Sequence, residues 1–437
     1  MFVSRAGRIS GSIVAVALML GVGASVLVVG VAHASDLAPA AVPATAGVSI
    51  HYTIPLGKDP GGGAYDTRNQ AVYVSNQKSD NVTVVSSSTH SHSSIPVGTS
   101  PYSILYDPNN GKLYVPNYNS SNVSIIYGAT NKVIANPSLG NGARPTAVYL
   151  DPANGNVVVI NESSYPHPDV AWIINGSTNT AKKVALGLGY LTLPVYSPSS
   201  KELYIQNQYS KTLSAILTSG TVRTIALTHE PDVLFYDPVS HLVLVTLVPS
   251  SFTAAGLYVA ISSADKVVKT VKVHTSTVVG SLFASYDPYN HDVYLTGSNI
   301  STNRSYAVIV APNATVVATP YLGNGILAVG CFYDPANGDV YYSGVAKNVV
   351  VLNQTSVVSN ITTTQPILLF TYDPTLKDMI GAGDTNITTT SKLYIVTSTN
   401  TVSSITVGKE AIAFFYNPTD HYVWVANVGS DTIDLVG

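Results

Sequence analysis

The chain is poor in charge. Lys, Arg, Asp and Glu make up 10% of its 437 residues, against about 25% in a typical soluble domain. The formal net charge is −3, which excludes the basic field that nucleic acid or an anionic membrane surface demands. A single cysteine, Cys331, leaves no internal disulfide framework and no thiolate metal site. Beside Phe332 in an apolar stretch, it reads as a buried thiol. Residues 48–437 show no helical periodicity. The chain also lacks a nucleophile-elbow pattern, a Cys-x-x-Cys-His haem attachment and a Gly-rich phosphate loop before a helix.

Tyr is abundant at 28 residues, and hydrophobic residues reach 46%. Arg5 and Arg8 precede an almost wholly apolar run at 13–31, and Ala32-His33-Ala34 forms a small-x-small cleavage site. Residues 1–34 therefore read as a signal peptide. An uncleaved anchor is the alternative, because the run approaches the ~20 residues that span a bilayer. Residues 35–47 are Ala-, Pro- and Thr-rich and read as a linker. An exported chain with so little charge needs another source of solubility. Asn-x-Ser/Thr occurs at Asn81, Asn119, Asn122, Asn161, Asn175, Asn299, Asn303, Asn313, Asn353, Asn360 and Asn386, all candidate N-glycosylation sites. An acidic habitat is a second explanation, since few carboxylates leave acid little to act on.

A repeat governs residues 48–437. A turn built on Asp-Pro or a close variant recurs at Asp66, Asp107, Asp151, Ser197, Asp237, Asp287, Asp334, Asp373 and Asn417, every 39 to 50 residues. Asp accepts a hydrogen bond from the turn backbone, and Pro presets the next dihedral. Seven positions on stand Tyr73, Tyr114, Val158, Tyr204, Leu244, Tyr294, Tyr341, Ile380 and Trp424. Ten positions on, Asn76, Asn117, Asn161, Asn207 and Asn427 or Gly297, Gly344 and Gly383 are expected to take left-handed backbone at the strand exit; Leu247 is the exception. Nine units near this period predict an all-β, nine-bladed propeller of four-stranded blades over 48–437. In the second unit the strands fall at 103–106, 112–116, 122–127 and 132–135. The last unit is one strand short, and residues 48–57 resemble the missing one, so the N-terminal strand should close the ring. Eight blades with one irregular unit is the alternative.

Tyr73-Val74-Ser75-Asn76 and Tyr114-Val115-Pro116-Asn117, with the Tyr-Asp-Pro-x-Asn-Gly turns at 106–111 and 333–338, resemble the YVTN β-propeller repeat. That family is found in secreted and surface-layer proteins. The resemblance implies an extracellular propeller and hands over no catalytic residues. Leu244-Val245-Thr246-Leu247 and Ile380-Gly381-Ala382-Gly383 depart from the pattern.

The first strand of each blade should line the central channel. Taken at 103–106, 147–150, 233–236, 282–286, 330–333, 368–372 and 412–416, these strands carry no Asp, Glu, His, Lys or Arg, whereas hydrolysis needs acids, bases or metal ligands that converge. The repeated Asp residues read as turn caps rather than a metal ring. His241, His291 and His421 share one slot, four past the anchor, where Gly stands in other units, and so read as turn residues. His90-x-His92 is a weak metal pair, with a solvated loop as the plainer reading. The loops between second and third strands should gather on one face, where Tyr118, Tyr165, Tyr209 and Phe252 are candidate partner-binding residues. The composite expectation is a non-catalytic surface module, without a cofactor, that binds a protein or glycan of the cell envelope. A secreted lactonase-like or quinoprotein-like enzyme is the alternative.

Overall fold

The computed structural model describes residues 47–161, 170–188, 194–248, 256–273, 278–279, 284–299, 302–325, 328–383 and 389–437. These residues form nine antiparallel sheets, each a blade. Blade one shows the pattern: Pro60–Asp66 innermost, then Ala71–Asn76, Asn81–Ser86 and, at the rim, His92–Pro96. Blade two repeats it with Leu105–Asp107, Lys112–Asn117, Asn122–Tyr127 and Lys132–Ala135. Blade six is the irregular one: its inner strand comes as Val278–Val279 and Ser285–Tyr286, and its rim strand as Thr315–Ala318 and Tyr321–Asn324.

The ring closes as the N-terminal strand suggested. Ile50–Pro55 pairs antiparallel with Thr432–Val436 and becomes the rim strand of blade nine. Thr53 donates to Asp434 across the join at 2.7 Å, and the amide of Leu56 reaches the carbonyl of Asp431. Packing shows the same closure. The buried apolar residues fall into nine clusters, each drawn from two neighbouring blades, and one of them joins Ile54, Trp424 and Leu435 of blade nine to Tyr65, Val72 and Val85 of blade one. A closed sheet arrangement of this kind has no unpaired face to expose.

The repeat's signature residues are committed to these joins. Every anchor side chain is buried, and each accepts from a turn amide, as Asp107 does from Asn109 at 2.9 Å and Asn417 from Thr419 at 3.0 Å. The residue four past each anchor is left-handed in all nine units, whether Gly111 at φ 70° or His241, His291 and His421 at 58°, 64° and 62°. The histidines are thus turn residues. Each accepts or donates one bond with the Tyr just before the anchor, at 2.7 to 2.9 Å.

The Tyr seven past the anchor is buried, and in three blades it bonds forward to the next. Tyr73 donates to Asn131 at 2.5 Å, Tyr341 to Asn400 at 2.9 Å, and Tyr204 reaches Asp265 at 2.7 Å. Tyr204 also lies 2.9 Å from Glu202, and Arg223 pairs with both Glu202 and Asp265.

The expectation for the residue ten past the anchor fails. None of Asn76, Asn117, Asn161, Asn207, Asn427, Gly297, Gly344 and Gly383 is left-handed. Asn76, Asn117, Asn207 and Asn427 instead end their strands as buried cross-links. Asn117 Nδ2 donates to Asn122 at 2.7 Å and Ser124 at 2.9 Å, and its side chain lies flat on Gly98, where a Cβ would come within 2.7 Å. Gly57, Gly187 and Gly408 meet Asn76, Asn207 and Asn427 in the same way. The glycine belongs to the segment entering from the previous blade, so the Asn is the point where one blade is seated on the next.

Cys331 is buried and donates to the carbonyl of Tyr294 at 3.0 Å, and burial pushes its thiol well above the usual range. No helix among the described residues is long and apolar enough to cross a membrane. The proposed leader and nearly all of the linker lie outside the described residues.

Candidate functional site

Where they are described, the loops between second and third strands lie against the segments that join the blades. The amides of Tyr118 and Asn119 bond to the carbonyls of Ser100 and Thr99, Ser210 to Leu188, Val248 to Glu230, and Val428 to Glu410. Tyr118 is half-buried and Tyr209 exposed in these loops. Tyr165, Phe252 and Asn386 lie outside the described residues.

Tyr118 belongs to a ladder that crosses two blades. Its ring lies 6.3 Å from that of Tyr102, tilted by 32°, and the guanidinium of Arg144 sits 5.7 Å from the Tyr118 ring centre. Arg144 is exposed and has no carboxylate partner among the described residues. Two aromatic faces and an unneutralised guanidinium form a platform for sugar rings, carboxylates or peptide. The loops that hold it are pinned by backbone bonds and by Asn119 donating to Ser100 at 2.7 Å. Tyr102 and Arg144 escaped the sequence reading because they lie on the joins between blades rather than on the loops.

The bore departs from expectation at one point. The inner strand of blade five begins at Pro231, two residues before the expected start, and so includes Asp232. A β-bulge lies between Pro231 and Leu234, a device that re-aims side chains. Thr246 holds the bulge through the amide of Val233 at 2.9 Å. Asp232 is hemmed in by protein yet keeps some contact with water. That desolvation pushes its carboxyl up to about 6. The wall is therefore not free of ionisable groups, although among the described residues no three His, Cys, Asp or Glu converge as a metal set.

Other expectations find their places. His90 is not in a solvated loop. Its ring packs 4.1 Å from Tyr52 and 6.4 Å from Trp424, and Nε2 lies 3.6 Å from Asp420, clasping blade one to blade nine. His92 stays exposed. Of the glycosylation candidates, Asn119, Asn175, Asn303, Asn313, Asn353 and Asn360 are exposed, Asn81, Asn122 and Asn161 partly buried, and Asn299 buried. A groove of about 450 Å³ lies between blades six and seven, lined by Tyr289, Asn290, Asn337 and Gln354 among others. The amides of Asn290 and Asn337 are spent on internal bonds.

No protein-family profile matches the chain, and no curated protein matches it in sequence. Among solved structures it is similar to the Dos1 propeller at 9% identity and TM-score 0.56, over 89% of this chain and 95% of that one. It is also similar to the dihydro-heme d1 dehydrogenase NirN in complex with DHE, at 15% identity and TM-score 0.51, over 71% of this chain and 67% of that one. At such identities the likeness is one of fold. The chain is a β-propeller.

Proposed function

We propose that this propeller is an exported, glycosylated module of the YVTN repeat type. It works at the cell surface or envelope as a non-catalytic scaffold, and its loop face holds a protein or glycan partner. The observation that carries this reading is the Tyr102–Tyr118–Arg144 ladder, partly exposed and set where a loop is bonded to the join between blades. The repeat signature supports it from the other side, because its Asp, Tyr and Asn side chains are occupied with turns and blade joins. Capture from native envelope fractions on immobilised protein tests the reading. The wild type retains a specific envelope protein or glycan, and Tyr118→Ala with Arg144→Ala does not. Equal capture by both proteins would refute it.

Asp232 favours a second reading, a secreted propeller enzyme. A carboxyl with a pKa near 6 on an inner strand suits proton transfer. Elemental analysis and an absorption spectrum of the secreted protein separate the two, since the enzyme reading requires a stoichiometric metal or a chromophore.

A further inference from the structure

The rim strands are the exposed edges of the nine blades, and such edges recruit strands from other chains unless blocked by charge or proline. Most carry a block within the strand: Pro55, Pro96, Lys132, Lys182, Arg223, Lys269 and Lys409. Two do not. Thr315–Ala318 of blade six and Ser356–Thr362 of blade seven have neither charge nor proline, the blade-six edge meeting a proline only between its two segments, at Pro320. The second is seven residues long, with Val357 and Val358 exposed at 45% and 52%.

Each of these two edges also carries an exposed Asn-x-Thr triplet, and a third, Asn353-Gln-Thr, lies in the turn just before the second strand. Asn313-Ala-Thr opens the first, and Asn360-Ile-Thr lies within the second. Asn313 is exposed, and its Oδ1 is pinned by the amide and hydroxyl of Thr315, which turns Nδ2 away. Asn360 is exposed, with Oδ1 accepting from Asn348 at 3.3 Å. Asn81 and Asn122 differ in being partly buried against their strands. Their Oδ1 atoms take the Nδ2 protons of Asn76 and Asn117, each at 2.7 Å, and the hydroxyls of Thr83 and Ser124 take the second bond at 2.9 Å. Blades four and nine fill the same two positions with Thr212 and Ser214, and with Thr432 and Asp434. What those positions require is a pair of acceptors, and a glycosylation triplet arises there as a by-product.

We infer that N-linked glycans on Asn313 and Asn360 cover the uncharged outer edges of blades six and seven, while Asn81 and Asn122, partly buried beside the Asn that seats each blade, stay unmodified. The inference rests on the exported, glycosylated reading above. The modification forms a bond from Asn Nδ2 to C1 of a sugar carried on a lipid diphosphate. The C1–O bond breaks, its electron pair leaves with the diphosphate, and one amide proton passes to a base of the transferase. A glycan in this place blocks an approaching strand as a lysine would.

Glycopeptide mapping of the chain secreted by its own host tests the assignment. Glycan on Asn313 and Asn360 with none on Asn81 or Asn122 supports it. Glycan on other sites but not on Asn360, or on Asn81 or Asn122, overturns this inference alone. No glycan anywhere overturns it together with the glycosylated reading. Sedimentation of variants tests the role at the edge. Asn360→Gln loses one glycan's mass and associates with rising concentration, and adding Val358→Lys restores the monomer. An Asn360→Gln protein that stays monomeric refutes the edge role.

Discussion

Acidification from pH 7 to pH 4 should stabilise this propeller. Burial raises the carboxyls of Asp107, Asp151, Asp232, Asp334, Asp373 and Asp420, reaching about 6 for Asp232 and Asp334. The geometry gives the reason. Oδ1 of Asp107, Asp334 and Asp373 accepts a turn amide, whereas Oδ2 is buried without a hydrogen-bond partner among the described residues. A folded-state pKa above the unfolded value of about 3.9 penalises the ionised form. The resulting stability is fully present below about pH 4 and is lost as pH rises through about 6. Two units at 1.36 kcal/mol each, discounted for residual solvent contact, give roughly 1–3 kcal/mol for Asp232 and again for Asp334. Asp431 moves the other way, lowered by Lys58 in an exposed pair at 2.8 Å, a contribution of at most about 1 kcal/mol. With unfolding entropy near 2.1 cal/mol/K per residue over roughly 390 residues, each kcal/mol is worth about 1 °C. Calorimetric scans at pH 7, 6, 5 and 4 should therefore show the midpoint climbing by roughly 3–6 °C, and Asp334→Asn should remove about half of the climb. A midpoint that is flat or falls over that range refutes the reasoning.

Further outcomes follow from the blade joins. Asn117→Ala removes two buried side-chain bonds and should cost about 1–3 kcal/mol in a denaturant melt. Gly98→Ala should cost about as much by overpacking against Asn117. The double variant should be clearly less destabilised than the sum, and strict additivity would show that the two do not share one contact. Removing residues 48–57 deletes the rim strand of blade nine and should turn a cooperative melt into an early, aggregating one. An unchanged melt would deny the closure any part in stability. Tyr204→Phe leaves Glu202 and Asp265 with only Arg223 between them and should lower stability by about 1–3 kcal/mol, read by thermal melting.

The architecture was legible because its determinants are local. An Asp before a Pro, a left-handed slot four residues on, and β-branched or aromatic alternation on either side declare a turn between strands wherever they occur. The closing strand at Ile50–Pro55 was legible by counting, since Thr432–Val436 needed a partner. What the sequence hid was the far end of each contact. Asn117 looked like a strand exit because its glycine lies in the segment entering from the previous blade. Asp232 lay just outside the expected strand, where a bulge extends the pairing. His90 looked solvated because Tyr52 and Asp420, which bury it, come from opposite ends of the chain. The candidate loop residue Tyr118 was visible, but its neighbours Tyr102 and Arg144 reach it only through the fold.

The most direct test compares three proteins in one binding experiment against native envelope fractions: wild type, Tyr118→Ala with Arg144→Ala, and Asp232→Asn. Recognition on the loop face predicts that the double variant loses the partner with its melting point unchanged, while Asp232→Asn binds as the wild type does. Retained binding by the double variant, with binding or turnover lost in Asp232→Asn, would contradict it and move the function into the bore.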